Sequence, residues 1–123
     1  DQLGQLWIGT RDGLNKYDGT KFTIYRTDTN NVNSISNNDI LCIQQDRFGY
    51  IWIGTYNGLN KYDPKTDTFT RYFHTQNNES LTNNTIWSLK ELHNGDLLIG
   101  TSSGFSVYKR STNSFKNFGS KIT

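Results

Sequence analysis

The chain of 123 residues has the size of one small domain or of a piece of a larger one, and 13 Lys and Arg against 11 Asp and Glu give a formal charge of +2. The basic residues are scattered, which argues against binding of nucleic acid or of an anionic membrane surface. A single cysteine, Cys42, excludes an internal disulfide and a cysteine-based metal site, and no apolar run is long enough to span a membrane.

A short cassette returns three times along the chain. Trp-Ile-Gly-Thr occupies 7–10 and 52–55, and a diverged copy, Leu-Ile-Gly-Thr, occupies 98–101. A fixed period of about 45 residues indicates an array of structural repeats. The aromatic content of 14%, together with abundant Gly, Asn and Thr, predicts many short strands joined by tight turns.

Hydrophobic alternation and turn signals predict eleven strands. A complete repeat has four, named A to D, and the first repeat begins at strand B. The predicted strands are 5–10, 14–17 and 21–26 in the first repeat, 38–45, 50–55, 59–62 and 68–74 in the second, and 85–91, 96–101, 105–109 and 114–118 in the third. Between strands B and C of the second repeat, Asn57-Gly58 predicts a two-residue hairpin with both residues at positive φ.

Four-stranded antiparallel units at this period are typical of the blades of a β-propeller. The sequence therefore predicts an all-β fold, a propeller segment of about three blades. The predicted divisions are 1–37, a partial blade without its innermost strand, 38–83, a complete blade, and 84–123, a third blade. Propellers have about four to eight blades. We therefore expect the segment to belong to a larger ring or to assemble with further copies, and an isolated copy to form a homo-oligomer.

Three glycines lie in the middle of predicted strands, where glycine weakens a strand unless something approaches closely. Gly9, Gly54 and Gly100 occupy the same position of each repeat. The expectation is that an aromatic ring from the adjoining blade lies over each glycine. Trp7 and Trp52 are expected to add their large apolar area to the same interfaces.

The stretch from Asp46 to Thr55, Asp-Arg-Phe-Gly-Tyr-Ile-Trp-Ile-Gly-Thr, with Asn-Gly-Leu-Asn-Lys-Tyr-Asp after it, resembles the two-component regulator propeller repeat. The Ser-Leu-Thr-Asn-Asn-Thr-Ile sequence that begins at Ser80 resembles it as well. The third repeat departs from the pattern, because Leu92 stands in place of Asp46 and Leu98 in place of Trp52.

The resemblance implies the sensor region of a hybrid two-component receptor, extracytoplasmic and periplasmic, that responds to oligosaccharides without being an enzyme. It implies no cofactor, and neither the resemblance nor the charge indicates a nucleic acid partner or direct membrane contact by this segment. The alternative is a structural or protein-interaction propeller that has no small-molecule ligand.

The acidic residues that repeat are better explained by turns than by catalysis. Asp18 and Asp63 occupy equivalent turns between strands C and D, and Asp46 lies in the turn between A and B. No pair of acids converges in the way that acid–base catalysis requires. The two histidines and Cys42 occupy unrelated repeat positions, which argues against a zinc site. Cys42 aligns with Ser88 and is expected to be a small buried residue.

Residues that differ at equivalent positions are the better candidates for ligand binding. The B–C loops and the D–A linkers are predicted to open on one face of the ring, where a rigid scaffold presents them. The candidate ligand-binding residues are Arg11, Asp12, Tyr56, Asn57, Ser102, Ser103 and Trp87. Tyr56 is suited to stack on a sugar ring and Arg11 to pair with an acidic sugar. The alternatives are solvated loop residues and, for Trp87, either a lining of the axial channel or a packed core aromatic.

Two further sets of repeated polar residues are given structural roles. The four asparagines that close the linkers are predicted to cap local turns, namely Asn37, Asn38, Asn83 and Asn84. Lys16 and Lys61, at equivalent positions of strand C, are predicted to form a solvated edge.

Overall fold

The computed structural model describes residues 4–119 and contains three antiparallel sheets. The first sheet holds β1 (Leu6–Thr10), β2 (Gly13–Tyr17) and β3 (Phe22–Tyr25); the second β4 (Ile40–Gln45), β5 (Ile51–Thr55), β6 (Gly58–Asp63) and β7 (Thr68–Tyr72); the third β8 (Ile86–Glu91), β9 (Leu97–Thr101), β10 (Gly104–Lys109) and β11 (Ser114–Gly119). In each sheet neighbouring strands are consecutive in the chain. The predicted all-β arrangement of one three-stranded and two four-stranded blades is confirmed.

The hairpin between strands B and C differs from the predicted one. Thr55 pairs with Gly58, so the two-residue loop is Tyr56–Asn57, and only Gly58 has a positive φ, at 118°. The Thr55 hydroxyl donates to Gly58 O at 2.8 Å and accepts from Asn57 N at 3.0 Å. Thr10 and Thr101 make the same pair of bonds. The threonine that ends each cassette therefore clamps the loop that follows it.

The blades stack face to face, with the innermost strand β4 lying against β8 and β1 lying against β4. Trp52 is fully buried and stacks on Tyr72 of its own blade at 5.8 Å between ring centroids. Its ring also packs against Tyr108 of the next blade at 5.0 Å. Trp7 makes the equivalent contact with Tyr62 at 5.1 Å. The expected contribution of both tryptophans to the blade interfaces is confirmed.

The prediction that an aromatic ring covers each cassette glycine is wrong. A Cβ atom on Gly54 would lie 2.6 Å from Ile86 Cγ2, and one on Gly9 would lie 2.8 Å from Ile40 Cβ. Both isoleucines begin the innermost strand of the next blade, and at Gly54 the thiol of Cys42 in the same blade lies closer still. At Gly100 the nearest atom is the hydroxyl of Ser88 in the same blade. The close approach is real, but the ring contacts lie at Trp52, two positions before Gly54.

The two strand C lysines do not form a solvated edge, which corrects the prediction. Lys61 pairs across the sheet with Trp52, and its Nζ lies 5.7 Å from the centroid of that ring and 4.0 Å from that of Tyr50. Lys16 pairs in the same way with Trp7. Their aliphatic stems and charges cover the aromatic rings.

In the third blade both members of this tryptophan–lysine pair are replaced. The pair that corresponds to Trp52 and Lys61 is Leu98 and Val107, which are cross-strand partners on β9 and β10. Leu98 offers no aromatic ring for a lysine to cover. The two substitutions in the third repeat are therefore coupled by one contact.

A cluster of tyrosine hydroxyls joins the first two blades. Tyr25 and Tyr62 both donate to Asp67 Oδ1, at 2.7 and 2.6 Å. Partial burial acts to raise the pKa of Asp67, but the two hydrogen bonds outweigh it and hold that pKa below its usual value. At the next boundary Asn113 accepts from the hydroxyls of Tyr108 and Tyr72. Asp67 and Asn113 have positive φ values of 56° and 50°, which Asp and Asn tolerate.

Each linker between blades covers the outer strand of the blade that follows. Phe69 N donates to Asn33 O at 2.8 Å, and Arg71 Nε donates to Ser34 O at 2.7 Å. The next linker repeats this contact, with Phe115 N donating to Glu79 O at 2.8 Å. The linkers therefore satisfy part of the edge of β7 and β11 that would otherwise be open.

The predicted local turn capping is confirmed for Asn37 and Asn83, whereas Asn38 and Asn84 bond to distant residues of the linker instead. Asn37 and Asn83 accept from the amides two residues further on, each at 2.9 Å. Asn38 accepts from Thr27 N at 2.7 Å, and Asn84 accepts from His74 N at 2.6 Å. These last two bonds join the beginning of each linker to its end, which fixes the path of the chain from outer to inner strand.

Candidate functional site

The B–C loops lie against the ends of the D–A linkers, as predicted. Gly13 N donates to Asn38 O at 2.7 Å and Gly58 N donates to Asn84 O at 2.6 Å, so each of these two loops is tied to the linker that enters the next blade. We name this side the loop face, formed by loops 11–12, 56–57 and 102–103 and by linker ends 37–39 and 83–85. The A–B and C–D turns lie at the opposite ends of the strands, on the turn face.

Trp87 is exposed on the loop face, so the alternative of a packed core aromatic is wrong. Its side chain is 53% exposed, and its indole Nε1 donates to Ser102 Oγ at 2.8 Å. The reason is a bulge, because β8 pairs Ile86 with Thr101 and Ser88 with Gly100 and leaves Trp87 as the extra residue. A bulge re-aims the side chain of its extra residue. Leu41 is the extra residue in β4.

Tyr56 lies on the same side of the boundary between the second and third blades. Its side chain is 57% exposed, and its carbonyl accepts from Thr85 Oγ1 at 3.1 Å. Thr85 comes two residues before Trp87 and its own carbonyl accepts from Ser102 N at 3.3 Å. Three of the predicted candidates, Tyr56, Ser102 and Trp87, are therefore connected through Thr85.

The other four candidates lie elsewhere on the loop face or serve the loops themselves. Ser103 Oγ accepts from Asn83 Nδ2 at 2.9 Å, and Asn57 is exposed at the tip of its loop. Asp12 pairs with Arg26 at 3.1 Å, where both side chains are well exposed, and such a pair contributes little. Arg11 is exposed. Among residues 4–119, no hydrogen bond or ion pair joins Arg11 or Asp12 to Trp87.

Asp46 on the turn face has the structural role that its turn position predicted. It is 3% exposed and its carboxylate accepts four hydrogen bonds, from Phe48 N, Tyr50 N, Trp52 Nε1 and Arg110 Nη2, at 2.8 to 3.0 Å. The aspartate thus closes its turn and orients the tryptophan of its cassette. The third repeat loses both partners together, since Leu92 and Leu98 replace them.

Arginines connect the turns of the second and third blades. Arg47 donates to Glu91 Oε2 at 3.0 Å and to the carbonyls of His93 and Leu92 at 2.8 and 2.6 Å. Arg110 lies 3.6 Å from the same Glu91 carboxylate. Comparison of the B–C loops alone misses this network. The sequence does carry a signal for it, because Arg47 and Arg110 have no arginine at the equivalent positions of the other repeats.

Cys42 is held as a thiol between β4 and β8. Burial raises its pKa to about 12, and a hydrogen bond from Gly54 N lowers it only in part. Its Sγ lies 3.8 Å from Ile86 O. A thiol with this pKa is a poor nucleophile, because the reactive form is the thiolate. Among residues 4–119, no group of three or more His, Cys, Asp or Glu side chains is placed to hold a metal ion.

The fold and the loop face define a segment of a β-propeller that presents exposed aromatic rings where two blades meet. Residues 34–57 match the model of the family described as two component regulator propeller. Residues 34–57 therefore carry the two-component regulator propeller repeat, as the sequence resemblance implied. No helix in residues 4–119 is long and apolar enough to cross a membrane.

Solved structures similar to this chain are extracellular domains of putative hybrid two component systems. The extracellular domain of the putative hybrid two component system BT3049 from B. thetaiotaomicron superposes with a TM-score of 0.89 and 30% identity, over 97% of this chain and 17% of that one. The extracellular domain of the putative hybrid two component system BT4673 from the same organism gives 0.79 and 28%, over 97% and 16%. The chain is thus homologous to a small part of these extracellular domains.

A curated relative agrees with these matches. Histidine kinase P4 of Formosa agariphila is 61% identical over 36 residues, which make up 29% of this chain and 3% of that protein. The chain spans only a small fraction of the length of this relative and of the solved extracellular domains.

Proposed function

We propose that this chain is a non-enzymatic, ligand-sensing segment of the periplasmic sensor region of a hybrid two-component receptor, and that it responds to an oligosaccharide. The comparisons support the receptor class, because both extracellular domains belong to putative hybrid two component systems. The remainder of the receptor, including the rest of the propeller, is the expected partner.

The observation that carries the proposal is the exposed Trp87 ring, held in place by Ser102. A buried aromatic would serve the core, but this ring is 53% exposed on a well-packed scaffold. Its orientation is fixed by the bond from its indole nitrogen, so little entropy is lost when a ligand stacks on it. Flat apolar rings with a polar edge are suited to the carbon–hydrogen face of a sugar. Tyr56 supplies a second exposed ring across the blade boundary.

A ligand that contacts Tyr56 and Trp87 touches two blades at once. Its binding energy therefore acts on the interface between the second and third blades, where Trp52 and Tyr108 pack. A ligand can shift an equilibrium only through a difference in affinity between two states. Contacts that depend on how two blades are placed provide such a difference.

Calorimetry of the full-length protein that contains residues 1–123 tests this function against a panel of neutral oligosaccharides. Trp87→Ala should weaken binding about tenfold or more, because it removes a large apolar contact. Val32→Ala, which removes an exposed apolar side chain from the linker between the first two blades, is the control and should leave the affinity unchanged. A folded protein that binds no member of a broad panel would remove the proposal.

The alternative, a protein-interaction scaffold, is favoured by one observation. The outer face of the first blade exposes four large apolar side chains, namely Leu6, Ile8, Phe22 and Ile24. The positions equivalent to three of them are buried in the second blade, as Ile51, Ile53 and Phe69. A further blade of the parent ring or a second copy would cover this face. Loss of assembly after Phe22→Glu, with no sugar response in the parent protein, would favour the alternative.

A further inference from the structure

A second cleft lies on the turn face, at the opposite end of the strands from Trp87. It has a volume of about 430 Å³ and is lined by Phe48, Tyr50, Lys61, Tyr108 and Arg110. The first three residues come from the second blade, and the last two come from the end of β10 and the turn after it. The cleft therefore spans the boundary between the second and third blades.

Lys61 carries a positive charge into this cleft without a close counterion. Its Nζ lies over the Tyr50 ring at 4.0 Å. Within residues 4–119, no carboxylate oxygen lies within 4.0 Å of this Nζ. Desolvation and then repulsion by Arg110 lower the pKa of Lys61, while the more distant carboxylates of Asp46 and Asp63 act to raise it. A negatively charged ligand group near Nζ would offset both the desolvation of Lys61 and its repulsion by Arg110.

The neighbouring carboxylates of Asp46 and Glu91 already have arginine partners. Asp46 accepts four hydrogen bonds, including one from Arg110 at 2.8 Å, and its side chain is completely buried. Glu91 is shared between Arg47 at 3.0 Å and Arg110 at 3.6 Å. The two arginines thus take both of these carboxylates, and Lys61 has neither of them within 4.0 Å. The excess positive charge lies on Lys61.

The cleft is particular to this boundary. In the third repeat Asn94, Asp96 and Val107 stand at the positions of Phe48, Tyr50 and Lys61. Arg110 corresponds to Pro64 in the second repeat. A structural element of the repeat would recur, whereas this combination of two cations and exposed aromatic surface does not.

We propose that this cleft binds the carboxylate of an acidic sugar, with Lys61 as its ion-pair partner and Phe48 as the surface that contacts the sugar ring. Phe48 is 59% exposed although the Arg110 guanidinium lies 4.6 Å from its centroid. A charge-assisted bond to an ammonium that is half removed from water is among the stronger polar contacts. This site goes beyond the proposed function, because it lies on the other face and requires a charged ligand.

Titration of the full-length protein with glucuronate, glucose and inorganic sulfate, followed by calorimetry and NMR, tests the site. Glucuronate should bind, and Lys61→Met should weaken it about tenfold or more. Lys16→Met is the matched control, since Lys16 occupies the same repeat position over Trp7 and has Asp67 nearby. It should leave binding unchanged.

Three results would overturn the proposal. Glucose binding as tightly as glucuronate would remove the charge requirement, and sulfate binding as tightly would remove the sugar ring. An equal loss of binding in Lys16→Met and Lys61→Met would show that the effect comes from the overall charge of the protein and not from Lys61. Lys61→Arg, which keeps the charge, should retain binding and shows that a loss in Lys61→Met is not caused by misfolding.

Discussion

Single polar side chains set the geometry of the blade boundaries. Asp46 accepts four hydrogen bonds and orients Trp52, while Asp67 joins the hydroxyls of Tyr25 and Tyr62. Turn position predicted a structural role for Asp46. The partners of Asp67 were not predictable, because Tyr25 comes from a different blade 42 residues away and no local pattern marks such a contact.

Asp67 makes stability depend on pH in a defined direction. Its pKa is lowered in the folded chain, so its contribution is present above the unfolded-state pKa of about 4 and is lost as pH falls through the lower folded value. Asp67→Asn should change stability at pH 7 by no more than about 1 kcal/mol, since Asn113 already performs this role in the next blade.

Urea unfolding at pH 7 and at pH 3 checks this prediction. The difference in unfolding free energy between the two pH values should be smaller in Asp67→Asn than in the parent. Asp18→Asn is a useful comparison, because the three hydrogen bonds that Asp18 accepts, and that lower its pKa to about 2, all lie within its own exposed turn. An unchanged pH response in Asp67→Asn would contradict the role given to this carboxylate.

At the scale of the strand, the cassette combines a tryptophan with a glycine, which has no side chain. Trp52 fills the interface, and Gly54 two positions later admits Ile86 from the next blade. Glycine at a fixed mid-strand position predicted a close approach. The identity of the approaching residue depends on how blades are stacked, which the sequence of one repeat does not contain. For this reason the predicted aromatic cover was wrong.

Gly54→Ala should destabilise the chain by about 1–3 kcal/mol, because the new methyl group overlaps the Cys42 thiol and also the Cγ2 and Cβ atoms of Ile86 from the next blade. Gly100→Ala is the matched control in the same cassette position. There the methyl group meets only the Ser88 hydroxyl, which can rotate away, so the cost should be smaller. Denaturant unfolding measures both. Equal costs would show that the strand itself, and not the next blade, requires glycine.

Strand assignments from the sequence agree with the structure to within about two residues, because alternation and turn residues are local signals. The sequence left Trp87 open between a lining of the axial channel and a packed core aromatic, and the bulge in β8 is what exposes its side chain. Position in a strand fixes the face of a residue only while the register is regular. The cleft around Lys61 and Arg110 requires two blades in contact, so comparison of repeats indicated neither its existence nor its charge.

At the scale of the whole molecule, each blade has two apolar faces and needs a neighbour on both. The second blade has neighbours on both sides, and its Trp52, Ile53 and Leu59 are fully buried. The first blade exposes Phe22 and Ile24 on its outer face. Exposed apolar patches of this kind mark surfaces that are covered in the functional assembly. The similar extracellular domains are about six times the length of this chain, since it covers 17% of one of them.

Light scattering on the isolated 123-residue chain tests most directly whether the molecule is a stack of blades whose terminal apolar faces are uncovered. The account predicts a mass above that of one chain at micromolar concentration, and a shift toward the monomer when Phe22→Glu places a charge on the outer face of the first blade. A folded, stable monomer with the mass of one chain, unaffected by Phe22→Glu, would contradict it.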